Sequence, residues 1–263
     1  MNGIDWTEIE KVAEQWTREA GDIVKESLSE NIKVEWKSNP DDLVTEMDRY
    51  VERFFLEKIQ AKYPNHSFLG EEGSGEEVAS TKGTVWIIDP IDGTTNFVHQ
   101  QFNFAISVAV YHNGIGMVGM IYNVIGNEFF SAVRNHGAYL NGEALSPLEP
   151  VSLEKAIIGL NAGWLVTDGV PGRERLANIV NTVRGVRSYG SAAIEIAYVA
   201  AGRLDGYISM GLSPWDFAAG LVLLHEVGGT YSTYPGEELN ILQSSSVFVA
   251  NPTIHQDILK FRE

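Results

Sequence analysis

Residues Trp86–Phe97 read WIIDPIDGTTNF. Thr84–Ile88 is a short apolar run rich in β-branched residues, the pattern of a buried strand. Two aspartates three positions apart, Asp89 and Asp92, then flank Pro90 and Ile91 and are followed by Gly93, Thr94 and Thr95. A carboxylate at the end of a buried strand is costly unless something pairs with it. Gly93 permits backbone geometry that other residues resist, and Thr94 or Thr95 can cap a short helix beginning there. The free N–H groups at such a start suit a phosphate. Two carboxylates beside a phosphate repel it, so the arrangement is coherent only with hard divalent cations between them, held by oxygen ligands. The competing reading is a turn in which both aspartates cap the following helix. It is the better reading of an isolated D-x-x-D-G, whereas the longer strand–turn–helix string favours a metal site.

Working outward, residues 5–28 carry Trp6, Ile9, Val12, Ala13, Trp16, Ala20, Ile23 and Val24 on one helical face, with Asp5 and Glu8 as a capping box. A second helix is expected over 43–62, ending before Pro64. Ser67-Phe68-Leu69 is a short strand opening into Gly70-Glu71-Glu72-Gly73. From Phe104 to Leu140, apolar runs separated by short Gly- or Asn-bearing turns predict an antiparallel meander. Composition shifts at Ser146–Pro150, which suggests halves of 1–147 and 148–263. The second half alternates strands (AIIGL, VRSYG, LDGYISM, SVFVA) with helices near 172–183, 192–201, 215–227 and the C-terminus. The class is therefore α+β, with sheets covered by helices.

With 263 residues the chain can bury a sizeable core. Its 35 acidic and 19 basic residues give a net charge of −16, which disfavours nucleic acid and anionic membranes as partners. It has no cysteine, which excludes disulfides, thiolate zinc sites and cysteine nucleophiles. No apolar run approaches the ~20 residues of a membrane span, and the acidic, amphipathic start is unlike a signal peptide. The expectation is a cytoplasmic protein.

Two further stretches bear on the chemistry. Glu71 could add a carboxylate ligand, although an acidic loop is commonly just solvated. In Ser213-Pro214-Trp215-Asp216 an aspartate opens an apolar helix, where it also suits the helix dipole. There is no G-x-x-x-x-G-K-[ST] loop and no G-x-S-x-G elbow. The six histidines are scattered, and His99 is given no catalytic role.

With these motifs in place, the chain resembles the inositol monophosphatase family, within the superfamily that includes fructose-1,6-bisphosphatase and bisphosphate nucleotidases. The resemblance runs nearly full length. It rests on WIIDPIDGTTNFVH at 86–99, GEE at 70–72, PWDFAAG at 214–220, DLVTEMD at 42–48 and GSAA at 190–193. It implies a layered α/β/α/β/α sandwich, two to three Mg2+ ions per site (Mn2+ substituting, Li+ and Ca2+ inhibiting) and a homodimer.

Carried over residue by residue, Glu71, Asp89 and the Ile91 carbonyl would hold the first ion. Asp89, Asp92 and Asp216 would hold the second, and a third would lean on Glu71. Gly93 and Thr94 would present N–H groups to phosphate. Asp48 would pair with Thr94, and Thr94 with Glu71 would orient the attacking water. Gly190, Ser191 and Ala192 would lie against the substrate, and Lys37 matches a lysine near the metal loop. The implied reaction is direct hydrolysis of a small phosphate monoester, with inositol 1-phosphate first. Adenosine 3′,5′-bisphosphate or NADP, and then fructose 1,6-bisphosphate, are the alternative substrates. A non-enzymatic alternative is docking on the transcription machinery, as some bacterial relatives do. One departure stands out. Many inositol-specific relatives carry a glutamate where Ser209 falls here, aligned through Leu204–Ile208.

Overall fold

The computed structural model describes residues 3–29, 34–36, 43–75 and 78–260; Lys37 and Asp42 lie outside them. The chain opens with α1 (Trp6–Ser27), whose N-cap Asp5 accepts from the N–H groups of Thr7 and Glu8. The short strands β1 (Val34–Trp36) and β2 (Leu43–Thr45) pair antiparallel and lead into α2 (Glu46–Lys62). Strands β3 (Ser67–Gly70) and β4 (Thr84–Asp92) follow, then the short α3 (Thr94–His99). The meander comprises β5 (Ala105–His112), β6 (Ile115–Asn123), β7 (Glu128–Val133), β8 (Ala138–Leu140) and β9 (Glu143–Ala144). Next come β10 (Ile157–Leu160), α4 (Gly163–Val166), α5 (Arg173–Thr182), β11 (Gly185–Arg187) and α6 (Ala192–Ala200). The chain finishes with β12 (Gly206–Leu212), α7 (Pro214–Glu226), β13 (Thr230–Ser232), β14 (Ser245–Ala250) and α8 (Pro252–Lys260).

Strands β3 to β9 form one sheet in sequence order, with β3 and β4 parallel and the rest antiparallel. The second sheet runs β11-β10-β12-β14-β13 and is mixed. The layering follows from strand alternation. On β4, Trp86 and Ile88 face a core shared with Ile9, Ala13 and Trp16 of α1 and Val51, Phe55 and Ile59 of α2. Val85 and Ile87 face the opposite core, built from α6 and α7, which also takes Tyr207, Val247 and Val249 of the second sheet. That sheet's outer face, through Ile158, Ile208 and Phe248, packs on Leu176 and Ile179 of α5 and Ile254 and Ile258 of α8. Two helices, a sheet, two helices, a sheet and two helices make the expected α/β/α/β/α sandwich.

Three local expectations change. The helix expected over 43–62 begins at Glu46, because Thr45 and Asp48 form a reciprocal capping box there and Leu43–Thr45 pairs as a strand. The strand expected to end at Ile88 continues to Asp92, with Pro90 accommodated where the pairing with β5 is irregular. Neither threonine caps α3. Its N-cap is Gly93, in the left-handed region at φ 92°.

Candidate active site

The site grows from the irregularity in β4. Asp89 pairs with Ser107 and Asp92 with Ala105, so three steps along β4 match two along β5. On a regular strand, residues three apart face opposite sides. The extra residue of the bulge restores parity, and the two carboxylates converge. Asp216 reaches them from the first turn of α7. The Ser107 hydroxyl, opposite Asp89, donates to the Trp215 carbonyl at 3.0 Å and seats that turn on the sheet. The Ser213 N–H donates to Asp216 Oδ2 at 2.8 Å. Asp89, Asp92 and Asp216 each offer a carboxylate oxygen, and these lie within 4.8 Å of one another.

Glu71 joins from the loop after β3. Gly70 is in parallel register with Ile88, so the next residue on each strand lies alongside, and Glu71 shares a hydrogen bond with Asp89. The electrostatics follow from burial and like charge. Burial first, then the charges of Glu71, Asp92 and Asp216, hold the Asp89 carboxyl well above the usual range. Burial and Asp92 push Asp216 up to about 8, against the Ser213 N–H. Burial pushes Asp92 only to about 6, because Ser191, Ala193 and Ala192 donate to it. Buried Asp89 and Asp92 beside half-buried Asp216 and Glu71, oxygen ligands whose charges oppose one another, fit a hard divalent cation such as Mg2+.

Asp92 does cap a helix, but a distant one. Its oxygens accept from the Ser191 hydroxyl, the Ala192 N–H (3.2 Å) and the Ala193 N–H (2.8 Å), at the start of α6. Gly190-Ser191-Ala192 is thereby brought against the β4 turn. Gly93 sits in the tightest place. A Cβ there would meet the Gly190 carbonyl at 3.0 Å and the Asn103 carbonyl at 3.3 Å, on a backbone that disfavours side chains. The Thr94 hydroxyl lies 3.3 Å from Asp48 Oδ1 and 3.2 Å from the Ile91 carbonyl. Asp48 Oδ2 is occupied by the Thr45 N–H at 2.7 Å and the Thr45 hydroxyl. His99 is exposed. Ser209 is buried, and its hydroxyl turns back onto Gly211.

Sequence reasoning missed three supporting residues. Asn96 Nδ2 bridges the Asn103 and Tyr189 carbonyls at 2.8 and 2.7 Å, tying α3 to the strand exit before α6. Glu195 accepts from the N–H groups of Tyr189 (2.8 Å) and Gly190 (3.3 Å). Its signal was a lone charge in the apolar run AAIEIAYVA. Glu52, buried on α2, had no such signal, since VERFF reads as an ordinary amphipathic helix.

Comparison with known proteins shows which family the chain resembles over its length. The chain is 51% identical over 256 residues to an inositol-1-monophosphatase of Bacillus subtilis (strain 168), covering 97% of each chain. It is 34% identical over 258 residues to Nus factor SuhB of Escherichia coli (strain K12), covering 94% of this chain and 93% of that one. Structures of staphylococcal inositol monophosphatase II bound to inositol monophosphate or to 2′AMP superpose with TM-scores of 0.84 and 0.87 at 42% identity. They cover 94–95% of this chain and 90–92% of theirs. The model of the inositol monophosphatase family matches residues 5–263, and the chain belongs to that family.

Proposed function

We propose that this protein hydrolyses small phosphate monoesters with the aid of Mg2+, inositol 1-phosphate being the first substrate to test. The observation that carries the reading is the convergence of Asp89, Asp92 and Asp216, with Glu71 bonded to Asp89, beside Gly93 and Thr94. In this reading Glu71, Asp89 and the Ile91 carbonyl hold one ion, Asp89, Asp92 and Asp216 a second, and Glu71 supports a third. Bound Mg2+ supplies the positive charge that clamps phosphate oxygens, acidifies an incoming water and stabilises the leaving alkoxide.

The chain's own groups do the positioning. The N–H groups of Gly93 and Thr94 receive the phosphate. Thr94, held by Asp48, would orient the water for in-line attack together with Glu71. Gly190, Ser191 and Ala192 wall the alcohol side. Attack is by water directly, with no phospho-enzyme, so rate comes from orientation and fixed electrostatics. The buried, neutral Ser209 offers no carboxylate to sugar hydroxyls, which supports a range extending to nucleotide-type phosphates. Cytoplasmic location and a homodimer belong to the same proposal.

The test is phosphate release with Mg2+ from inositol 1-phosphate, adenosine 3′,5′-bisphosphate, NADP and fructose 1,6-bisphosphate. Asp89→Asn is the informative variant, because an amide replaces a carboxyl already driven towards its neutral form. It should keep the fold and lose activity by about a thousandfold or more, by analogy with the loss of key electrostatic groups elsewhere. A folded wild type that releases no phosphate from any of the four would overturn the reading. The 34% identity to a Nus factor favours one second reading, docking on the transcription machinery. Binding of that kind would survive Asp89→Asn.

A further inference from the structure

Beneath the metal loop lies a buried carboxylate that the mechanism above does not use. Glu52 is fully buried on α2, one turn beyond Asp48 and on the same helix face. Its two oxygens are spent on the backbone that carries Glu71. Oε2 accepts from the Glu72 N–H at 2.6 Å, and Oε1 accepts from the Ser74 N–H at 2.7 Å. Gly70 completes the contact from the other side of Glu71. A Cβ at Gly70 would fall on the Glu52 carboxylate itself, so the loop rests directly on it. The N–H groups of Glu72 and Ser74 are thus held by one side chain against which Gly70 lies, and Glu71, between Gly70 and Glu72, is bonded to Asp89.

We propose that Glu52 is a positioning residue: it clamps the Gly70–Ser74 loop so that Glu71 faces Asp89, and thereby sets the affinity of the centre for its divalent cation. This rests on the metal-centre reading above. The physical reason is that a charged acceptor makes hydrogen bonds that are short and strong. Two of them from one buried carboxylate leave the loop a single register. A ligand held in place before the ion arrives does not have to be ordered by it. Asp48 and Glu52 then make α2 a common platform, one turn serving Thr94 and the next serving Glu71.

A purely structural role for Glu52 predicts lower stability and nothing else, so the test reads metal affinity. Mg2+ is titrated into wild type, Glu52→Gln and Val51→Ala, following the rise in melting temperature and, separately, phosphate release. Gln keeps the volume but presents N–H to one of the two backbone donors. Val51→Ala thins the same helix's buried face without touching the loop. The expected result is a half-saturating Mg2+ concentration raised about ten- to a hundredfold in Glu52→Gln by both readouts, as for other residues behind metal ligands. KM for substrate at saturating Mg2+ should stay within about twofold, and Val51→Ala should match wild type in Mg2+ response.

Equal half-saturation in Glu52→Gln and wild type would overturn the proposal and leave the metal centre standing, as would an equal rise in both variants. No Mg2+ response in wild type would overturn the metal centre itself. If Glu52→Gln does not fold, Gly70→Ala displaces the same carboxylate from the loop side. An unchanged Mg2+ response there would refute the clamp, and a raised half-saturation would support it.

Discussion

At the scale of single residues, Glu195 combines two unusual conditions. It is 3% exposed, and beyond its bonds to the Tyr189 and Gly190 N–H groups its Oε2 has no partner among the described residues. A Cβ on Gly159 would fall on that oxygen, so the strand opposite has made room for it. Burial pushes the Glu195 carboxyl up to about 7; the two backbone N–H groups oppose this and the charge of Asp92 adds to it. Tyr207 also faces it, from β12. A carboxyl whose folded pKa lies above its unfolded value stabilises most below the unfolded value, about 4.5. That stabilisation is lost as pH rises through about 7. The loss is on the order of 3 kcal/mol. Urea unfolding of wild type and Glu195→Gln, both in chelator, should show their stability difference shifting by about that much against wild type between pH 4.5 and 8. A flat difference would mean that Glu195 carries no strained charge.

At the scale of elements, the turn from β4 into α3 carries the sharpest constraint, because Gly93 combines φ 92° with a Gly190 carbonyl only 3.0 Å from where a Cβ would sit, inside ordinary van der Waals contact. Gly93→Ala should cost about 1–3 kcal/mol of stability. By spreading β4 from the start of α6 it should also lower phosphate release by about a hundredfold. Denaturant unfolding and steady-state kinetics read the two effects separately. Much of the element list was legible in advance. The meander announces itself through its apolar runs and through turns in which Asn113, Asn127, Asn135 and Asn141 take positive φ. The carboxylates of β4 and α7 were less plain taken singly, since a helix cap or a helix dipole accounts for each of them; the resemblance, not the residues alone, joined them into one site.

What was not legible depends on distant partners. Leu43–Thr45 looks like the start of α2 until it is paired with Val34–Trp36. The three-residue strand β13 exists only as an edge beside β14. The apolar run stops at Ile88, and only the register against β5 shows that the strand continues to Asp92. Nor does any local signal say that Asp92 caps α6, a hundred residues away, and not α3.

At the scale of the molecule, the candidate centre lies where the two sheets and their shared helix layer meet. β4 brings Asp89 and Asp92 from the first sheet's layer. α6 and α7, packed between the sheets, supply the donors to Asp92 and the Asp216 carboxylate. An ion bound by the folded chain and not by the unfolded one adds about 2.7 kcal/mol at a hundred times its dissociation constant. For a chain of this size that amounts to about 5–10 °C in melting temperature. Differential scanning calorimetry with Mg2+ against chelator checks it, and a difference near zero would count against an ion at this place.

The grip of Asp92 on α6 has a consequence for the protein's lifetime. The same carboxylate anchors the middle helix layer to the first sheet and, in the proposed metal centre, would also answer to the cation, so metal supply would become a condition of upkeep as well as of turnover. Starved of Mg2+, the chain should open more often along that seam and be cut there sooner by a protease. Its abundance would then follow the ion it uses.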